Sequence, residues 1–93
     1  IILLDNHGYG TERYLHAGDW KYNEINRWNY CELLSVYGGG VGHLVSTEGE
    51  FEDALDVAWN DPSQTHLIQA KLLENDASET LKKLAARMGE HVK

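Results

Sequence analysis

Asp5, Asn6 and His7 follow directly on the aliphatic run Ile1 to Leu4, and within five more residues come Gly8, Gly10 and the acid Glu12. These residue types can perform chemistry together. Asn6 offers a neutral amide oxygen, and Gly8 lets the backbone turn closely enough to present a carbonyl oxygen. Both are hard oxygen donors of the kind Mg²⁺ accepts beside phosphate oxygens and water. Taken alone, "DNHG" also reads as an ordinary turn after a strand, and Glu12 as a solvated acid on a short helix.

The elements that must position these residues are legible in the hydropathy pattern. Ile1 to Leu4 reads as a strand with both faces covered, opening mid-strand and ending at the polar group. In open parallel sheets the ligand crevice lies beyond the carboxyl ends of the strands, where "DNHG" falls. Tyr9 to His16 suits a short helix, and Gly18 to Asn26 an irregular aromatic loop. Asn29 with Glu32 predicts a capping box, with Trp28 and Leu33 as a hydrophobic staple and Tyr30, Leu33, Leu34 and Tyr37 on one face. Gly38 to Gly40 ends that helix and leads to a strand near Gly42 to Ser46. Thr47 with Glu50 predicts a second box, opening a helix with Phe51, Ala54, Leu55 and Ala58 inward and a stop before Pro62. A strand over His66 to Leu72 follows. Asp76 with Glu79 caps a last helix carrying Leu81, Leu84, Ala85 and Met88 on one side. Strands alternating with helices predict an α/β fold of three layers, a mostly parallel sheet flanked by helices.

Composition narrows the function classes. Ninety-three residues suit one small domain, here 1–93. Eight Lys and Arg against 15 Asp and Glu give a net charge of −7, which disfavours nucleic acid. The single cysteine, Cys31, forms no internal disulfide, and a reducing, cytoplasmic setting fits. No apolar run approaches the roughly 20 residues needed to cross a bilayer, so no membrane partner is expected. His7, His16, His43, His66 and His91 lack close metal-ligand spacing and read as structural or exposed. Trp20, Tyr22, Trp28 and Tyr30 read as packing and interface residues. Glu48, Glu50, Glu52 and Asp53 read as favourable charges of a helix's first turn.

Longer strings carry a resemblance. "LLDNHGYGTERYLH", then "YNEINRWNY" at Tyr22 to Tyr30, "STEGEFEDAL" at Ser46 to Leu55 and "HLIQAKL" at His66 to Leu72 occur in order. Together they resemble the C-terminal part of the diphosphate-binding domain of thiamine-diphosphate-dependent 2-oxo acid decarboxylases, the pyruvate, indolepyruvate and phenylpyruvate enzymes. The resemblance implies that Asn6 and Gly8 ligate Mg²⁺ through side chain and carbonyl. It also implies that Tyr9 and Gly10 join them in the cofactor-binding segment, that Thr11 lines the substrate pocket, and that Glu12 manages protons during decarboxylation of a 2-oxo acid to an aldehyde. Asp5 stands where the family usually has Asn, His7 where an acid is common, and Gly10-Thr11 where Thr with Ile or Val is common. The family's Gly-Asp-Gly half-motif and its second cofactor-binding domain are expected upstream of Ile1. On that reading the chain is a truncated half of a diphosphate-binding domain from a carboxy-lyase. Alone it is expected to be inactive, to bind thiamine diphosphate and Mg²⁺ poorly, and to form a homo-oligomer through its uncovered edge. Two alternatives stand beside this: a free-standing non-catalytic, oligomerising remnant, and a carboligating, acetolactate-forming relative. Glu12 in "GTER" favours the decarboxylase branch.

Overall fold

The aliphatic run forms a strand because its β-branched and leucine residues fit a pleated ladder, and the neighbour it finds is the most buried strand among the described residues. A computed structural model describes residues 1–16 and 18–91. Strand β1 (Ile2–Asp5) pairs in parallel with β3 (His66–Lys71), and β3 pairs in parallel with β2 (Val41–Val45). The order is β1-β3-β2, so β3 is central and its first five residues are buried. Register follows the pairs Leu4↔Ala70 and Val45↔Ala70, which set three small or aliphatic side chains in a row. Among the described residues, four α-helices and a short 3₁₀ turn (Lys21–Asn23) complete the element order: α1 (Gly10–Leu15), α2 (Tyr30–Val36), α3 (Glu48–Trp59) and α4 (Glu79–His91). The α/β expectation holds, with a three-strand parallel sheet and flanking helices.

The residues group into two compact units. The first, Ile1–Asp5 with Trp28–Leu72, holds the sheet, α2 and α3. Alternation along the strands divides its interior in two. Val45, Ile68 and Ala70 face α3 and pack with Ala54 and Phe51. On the other face Leu34 and Leu67 are buried, and Cys31 Sγ donates to Gln69 Oε1 at 3.4 Å. Gln69 Nε2 in turn donates to Asp5 Oδ2 at 2.8 Å, so one amide on the central strand links α2 to the end of β1. Burial pushes the Cys31 thiol up; the bond with Gln69 opposes this, and the neighbouring Glu32 charge adds to it.

Several local expectations are corrected here. β1 is an edge strand in this chain, with Ile2 and Leu4 exposed rather than covered on both faces. Asn29 is the N-cap of α2 but its side chain makes no capping bond, and Trp28 stacks on Tyr30 at 6.5 Å. Tyr37 is exposed, since three positive-φ glycines turn the chain away immediately after it. The last helix is capped by Ser78, whose Oγ accepts from Leu81 N at 3.1 Å, in place of an Asp76 box. His91 closes α4, and its side chain lies outside the described part.

The second box forms as expected. Thr47 Oγ1 accepts from Glu50 N at 3.2 Å, and Glu50 Oε2 accepts from Thr47 N at 3.3 Å and from Ser46 N at 2.7 Å. Thr47→Ala removes one half of this reciprocal pair and is expected to cost about 1 kcal/mol. A urea titration of the variant should show that loss, and an unchanged midpoint would mean that α3 is held by its packing alone.

Candidate functional site

The second unit, Asn6–Arg27 with Leu73–Lys93, contains every sequence-predicted site residue. Its architecture begins with a problem of unpaired backbone. The turn from Asn6 to Gly10 belongs to no sheet ladder, so its carbonyls and amides need partners from elsewhere. Part of the answer is the segment around the short 3₁₀ turn Lys21–Asn23. Tyr9 N donates to Asn23 O at 2.9 Å, Ile25 N to His7 O at 3.3 Å, and Gly8 forms an isolated antiparallel bridge with Glu24.

Arg13 supplies the rest, and sequence reasoning misses it. Its Nη1 donates to Asn6 O at 3.1 Å and to Glu74 O at 3.1 Å, while Nη2 donates to His7 O at 2.8 Å. Glu74 Oε1 lies 3.3 Å from Nη2 and balances the charge. A guanidinium, with five donors in a fixed fork, is the one side chain able to satisfy this many carbonyls at once. The signal in the sequence is a basic residue next to the predicted active acid, in a chain whose acids outnumber its bases. Nearby, the Tyr14 hydroxyl donates to Asn75 O.

The predicted donors Asn6 and Gly8 both lie in this clasped turn. Asn6 Oδ1 accepts only a long bond from Gly8 N, 3.4 Å, and so retains capacity for another partner. Gly8 O accepts from Gly10 N at 3.1 Å, leaving its second lone pair available. The turn is tight enough to need its glycines. Gly8 has φ +156°, and a Cβ there would run into the Asn23 carbonyl. A Cβ on Gly10 would sit 2.8 Å from Asn6 Nδ2. His7 holds φ 65°, a left-handed conformation uncommon outside glycine, which helps point successive carbonyls in different directions.

Two neutral hard oxygens in one turn suit Mg²⁺, and the donor set therefore fits the ion that the resemblance implies. Thr11 and Glu12 lie exposed on the first turn of α1, and the Glu12 carboxylate has no hydrogen-bond partner among the described residues. Tyr9 is exposed. Asp5, the acid in place of the family's Asn, has its carboxylate engaged by Gln69 in the first unit. Among the described residues, no helix is long and apolar enough to cross a membrane.

No family model matches the chain. Individual proteins do. A pyruvate decarboxylase of Neurospora crassa is 34% identical over 85 residues, covering 87% of this chain and 15% of the relative. Pyruvate decarboxylase isozyme 3 of Saccharomyces cerevisiae is 37% identical over 89 residues, 91% of this chain and 16% of the relative. An alpha-keto-acid decarboxylase of Mycobacterium tuberculosis is 41% identical over 61 residues, 62% of this chain and 11% of the relative. The chain thus spans about 15% of the length of the curated relatives it matches. Over most of its length it is homologous to the pyruvate and alpha-keto-acid decarboxylases, the thiamine-diphosphate-dependent enzymes that its motifs resemble.

Proposed function

We propose that this chain forms one wall of a thiamine-diphosphate site in a 2-oxo acid decarboxylase, in which Asn6 and Gly8 hold Mg²⁺ and Glu12 moves a proton. The decarboxylase family uses thiamine diphosphate and Mg²⁺. The observation that carries the reading is the turn itself: Asn6 Oδ1 and Gly8 O, each with spare acceptor capacity, belong to a turn whose Asn6 and His7 carbonyls are held by Arg13 and whose Tyr9 amide is held by Asn23 O, a few residues before an unpaired acid.

Each residue then has a defined task. Asn6 and Gly8 would present neutral oxygens to the metal, adding no negative charge beside a diphosphate. Gly8 and Gly10 keep side chains out of the space where that group approaches, with Tyr9 between them. Arg13 holds the carbonyls that set the direction of the turn. Thr11, next to the acid, borders the 2-oxo acid and is smaller and more polar than the Ile or Val common in the family. Bound thiamine diphosphate supplies the electron sink that makes loss of carbon dioxide feasible. Glu12, exposed and unpaired, would deliver a proton to the carbanion left when carbon dioxide departs and recover one for the next turnover. The exposed aliphatic residues Ile2 and Leu4 on the β1 edge favour association with a second copy, and a cytoplasmic setting accords with the lone cysteine.

A chimera tests this reading, with the present sequence replacing the matching region of the yeast isozyme 3 enzyme. The expected result is Mg²⁺-dependent aldehyde release from pyruvate or a larger 2-oxo acid. Asn6→Ala in the same chimera should weaken cofactor retention by about ten-fold or more, the loss expected for one metal-ligating oxygen. A folded chimera that retains neither Mg²⁺ nor thiamine diphosphate would overturn the proposal.

A further inference from the structure

β2 forms the second edge of the sheet, and its open side is unguarded. Val41 N donates to Thr65 O at 2.9 Å, so Val41, His43 and Val45 turn their backbone groups toward β3. Alternate residues of a ladder point the other way, which leaves the N–H and C=O of Gly42 and Leu44 facing outward with no partner among the described residues. Sheets commonly protect such an edge with lysine, proline or a bulge. Here the register runs unbroken from Val41↔His66 to Val45↔Ala70, and the outward pair is a glycine and a leucine. Leu44, on the α2 face of the strand, is 57% exposed.

The α3 face of the same edge is acidic. A groove of about 380 Å³ lies there, lined by His43, Leu44 and Val45 on β2 and by Glu50, Asp53 and Val57 on α3. His43 Nε2 is occupied by His66 Nδ1 at 2.9 Å. Glu50 and Asp53 stand one turn apart on the helix, and the Asp53 carboxylate is exposed and unpaired among the described residues. No base offsets them. Lys71 is the single Lys or Arg in the sequence of the first unit, where eight acids less one base account for the chain's whole net charge of −7. Five of those acids lie on α3.

Backbone, side-chain alternation and charge together specify the occupant. A second copy docking through this edge would set one acidic groove against another. A strand from a basic partner meets complementary charge, takes its affinity from main-chain bonds and its specificity from alternate side chains. We propose that the β2 edge takes up an extended basic segment of a partner protein as an antiparallel strand, with aliphatic residues beside Leu44 and Lys or Arg residues over Glu50 and Asp53. Antiparallel pairing is the more stable per residue, and it puts directly opposite side chains on one face. The residues opposite Gly42 and Leu44 then exchange both backbone bonds with them and share the Leu44 face, while the residues between fall over the acids. Basic and aliphatic residues must therefore alternate. The surface uses none of Asn6, Gly8, Glu12 or the β1 edge, and it stands whether or not the decarboxylase reading does.

The test is a titration of the ¹⁵N-labelled chain with acetyl-Lys-Val-Lys-Val-Lys-amide. The Gly42 and Leu44 amides should shift saturably and exchange more slowly with solvent. Two control peptides should leave both amides in place: one with glutamate for each lysine, and one with both valine nitrogens methylated, which keeps the charge and removes the donors. Asp53→Asn should weaken binding by about two- to five-fold, the scale of one exposed ion pair. Raising NaCl from about 0.02 M to about 0.5 M should weaken it as well. An unchanged Ala70 amide would show that the variant keeps its central strand. The proposal is overturned if the lysine peptide leaves the Gly42 and Leu44 amides in place, if either control moves them as far, or if Asp53→Asn binds as the parent does. Concentration-dependent shifts of the same amides without peptide would assign the edge to a second copy and overturn it too.

Discussion

Glu12→Gln lowers aldehyde release by about 10² to 10⁴ in the decarboxylase chimera while thiamine diphosphate affinity stays nearly constant, because a positioned proton donor or acceptor contributes on that scale. Gln keeps the volume and the polarity of the side chain and removes only the transferable proton. The helix should be indifferent to the change, since Gln and Glu have similar helix propensity and the Glu12 carboxylate makes no bond among the described residues. Cofactor binding should be indifferent for the same reason, as the proposed metal ligands are Asn6 and Gly8. Turnover and cofactor affinity measured side by side on the Glu12 and Asn6 variants separate the two roles. Glu12→Gln with undiminished turnover would remove the acid from the mechanism, because an exposed acid without a role changes little on substitution.

Gly8→Ala should be the most damaging single methyl group in the second unit. A non-glycine residue at φ +156° is strained by itself, and the added Cβ meets the Asn23 carbonyl carbon at 3.0 Å and Arg13 Nη2 at 2.5 Å. Those are the atoms that hold the turn, so the collision cannot be relieved without loosening it. Backbone strain and overpacking each cost roughly 1–3 kcal/mol, and a combined loss of about 3 kcal/mol is expected. Amide exchange reads it directly: the Tyr9 N–H, bonded to Asn23 O, should lose about a hundred-fold of its protection. Gly49→Ala is the matched control. Gly49 lies on α3 with open space where an added methyl would sit, and alanine there should raise helix stability by up to about 1 kcal/mol. Equal effects at both glycines would contradict the account of the turn.

The sheet is legible in the sequence because burial and alternation are written residue by residue. His66 to Leu72 reads as a strand and is the central one; Thr47 with Glu50 reads as a capping box and is one. Both depend on contacts within a few residues or on plain hydropathy. The failures have the opposite character. Asn29 suits a reciprocal cap by spacing alone, yet its backbone at φ −82°, ψ 75° leaves the side chain unbonded to the helix amides. The role of Arg13 is not written locally either, since Glu74, which balances it, is 61 residues away. Asn23 shows the same limit from another side. "YNEI" gives no hint that the amide is enclosed, because enclosure is a property of the folded loop and not of residue type. The oxygen donors Asn6 and Gly8 are legible as types, and the clasp that aims them is not.

The histidines of the first unit carry a consequence of their own. His66 Nε2 lies 3.0 Å from Asp61 Oδ2, and His66 Nδ1 lies 2.9 Å from His43 Nε2. The hydroxyl of Ser63 and then the ring of His66 hold the Asp61 carboxyl below its ordinary value, so near neutrality it can only accept. When both rings are neutral, His66 carries its hydrogen on Nε2 toward Asp61, its Nδ1 accepts, and His43 donates from Nε2. One acid at the turn after α3 thereby sets the tautomer of two neutral imidazoles in succession, and leaves the edge strand β2 with an acceptor nitrogen at His43 Nδ1.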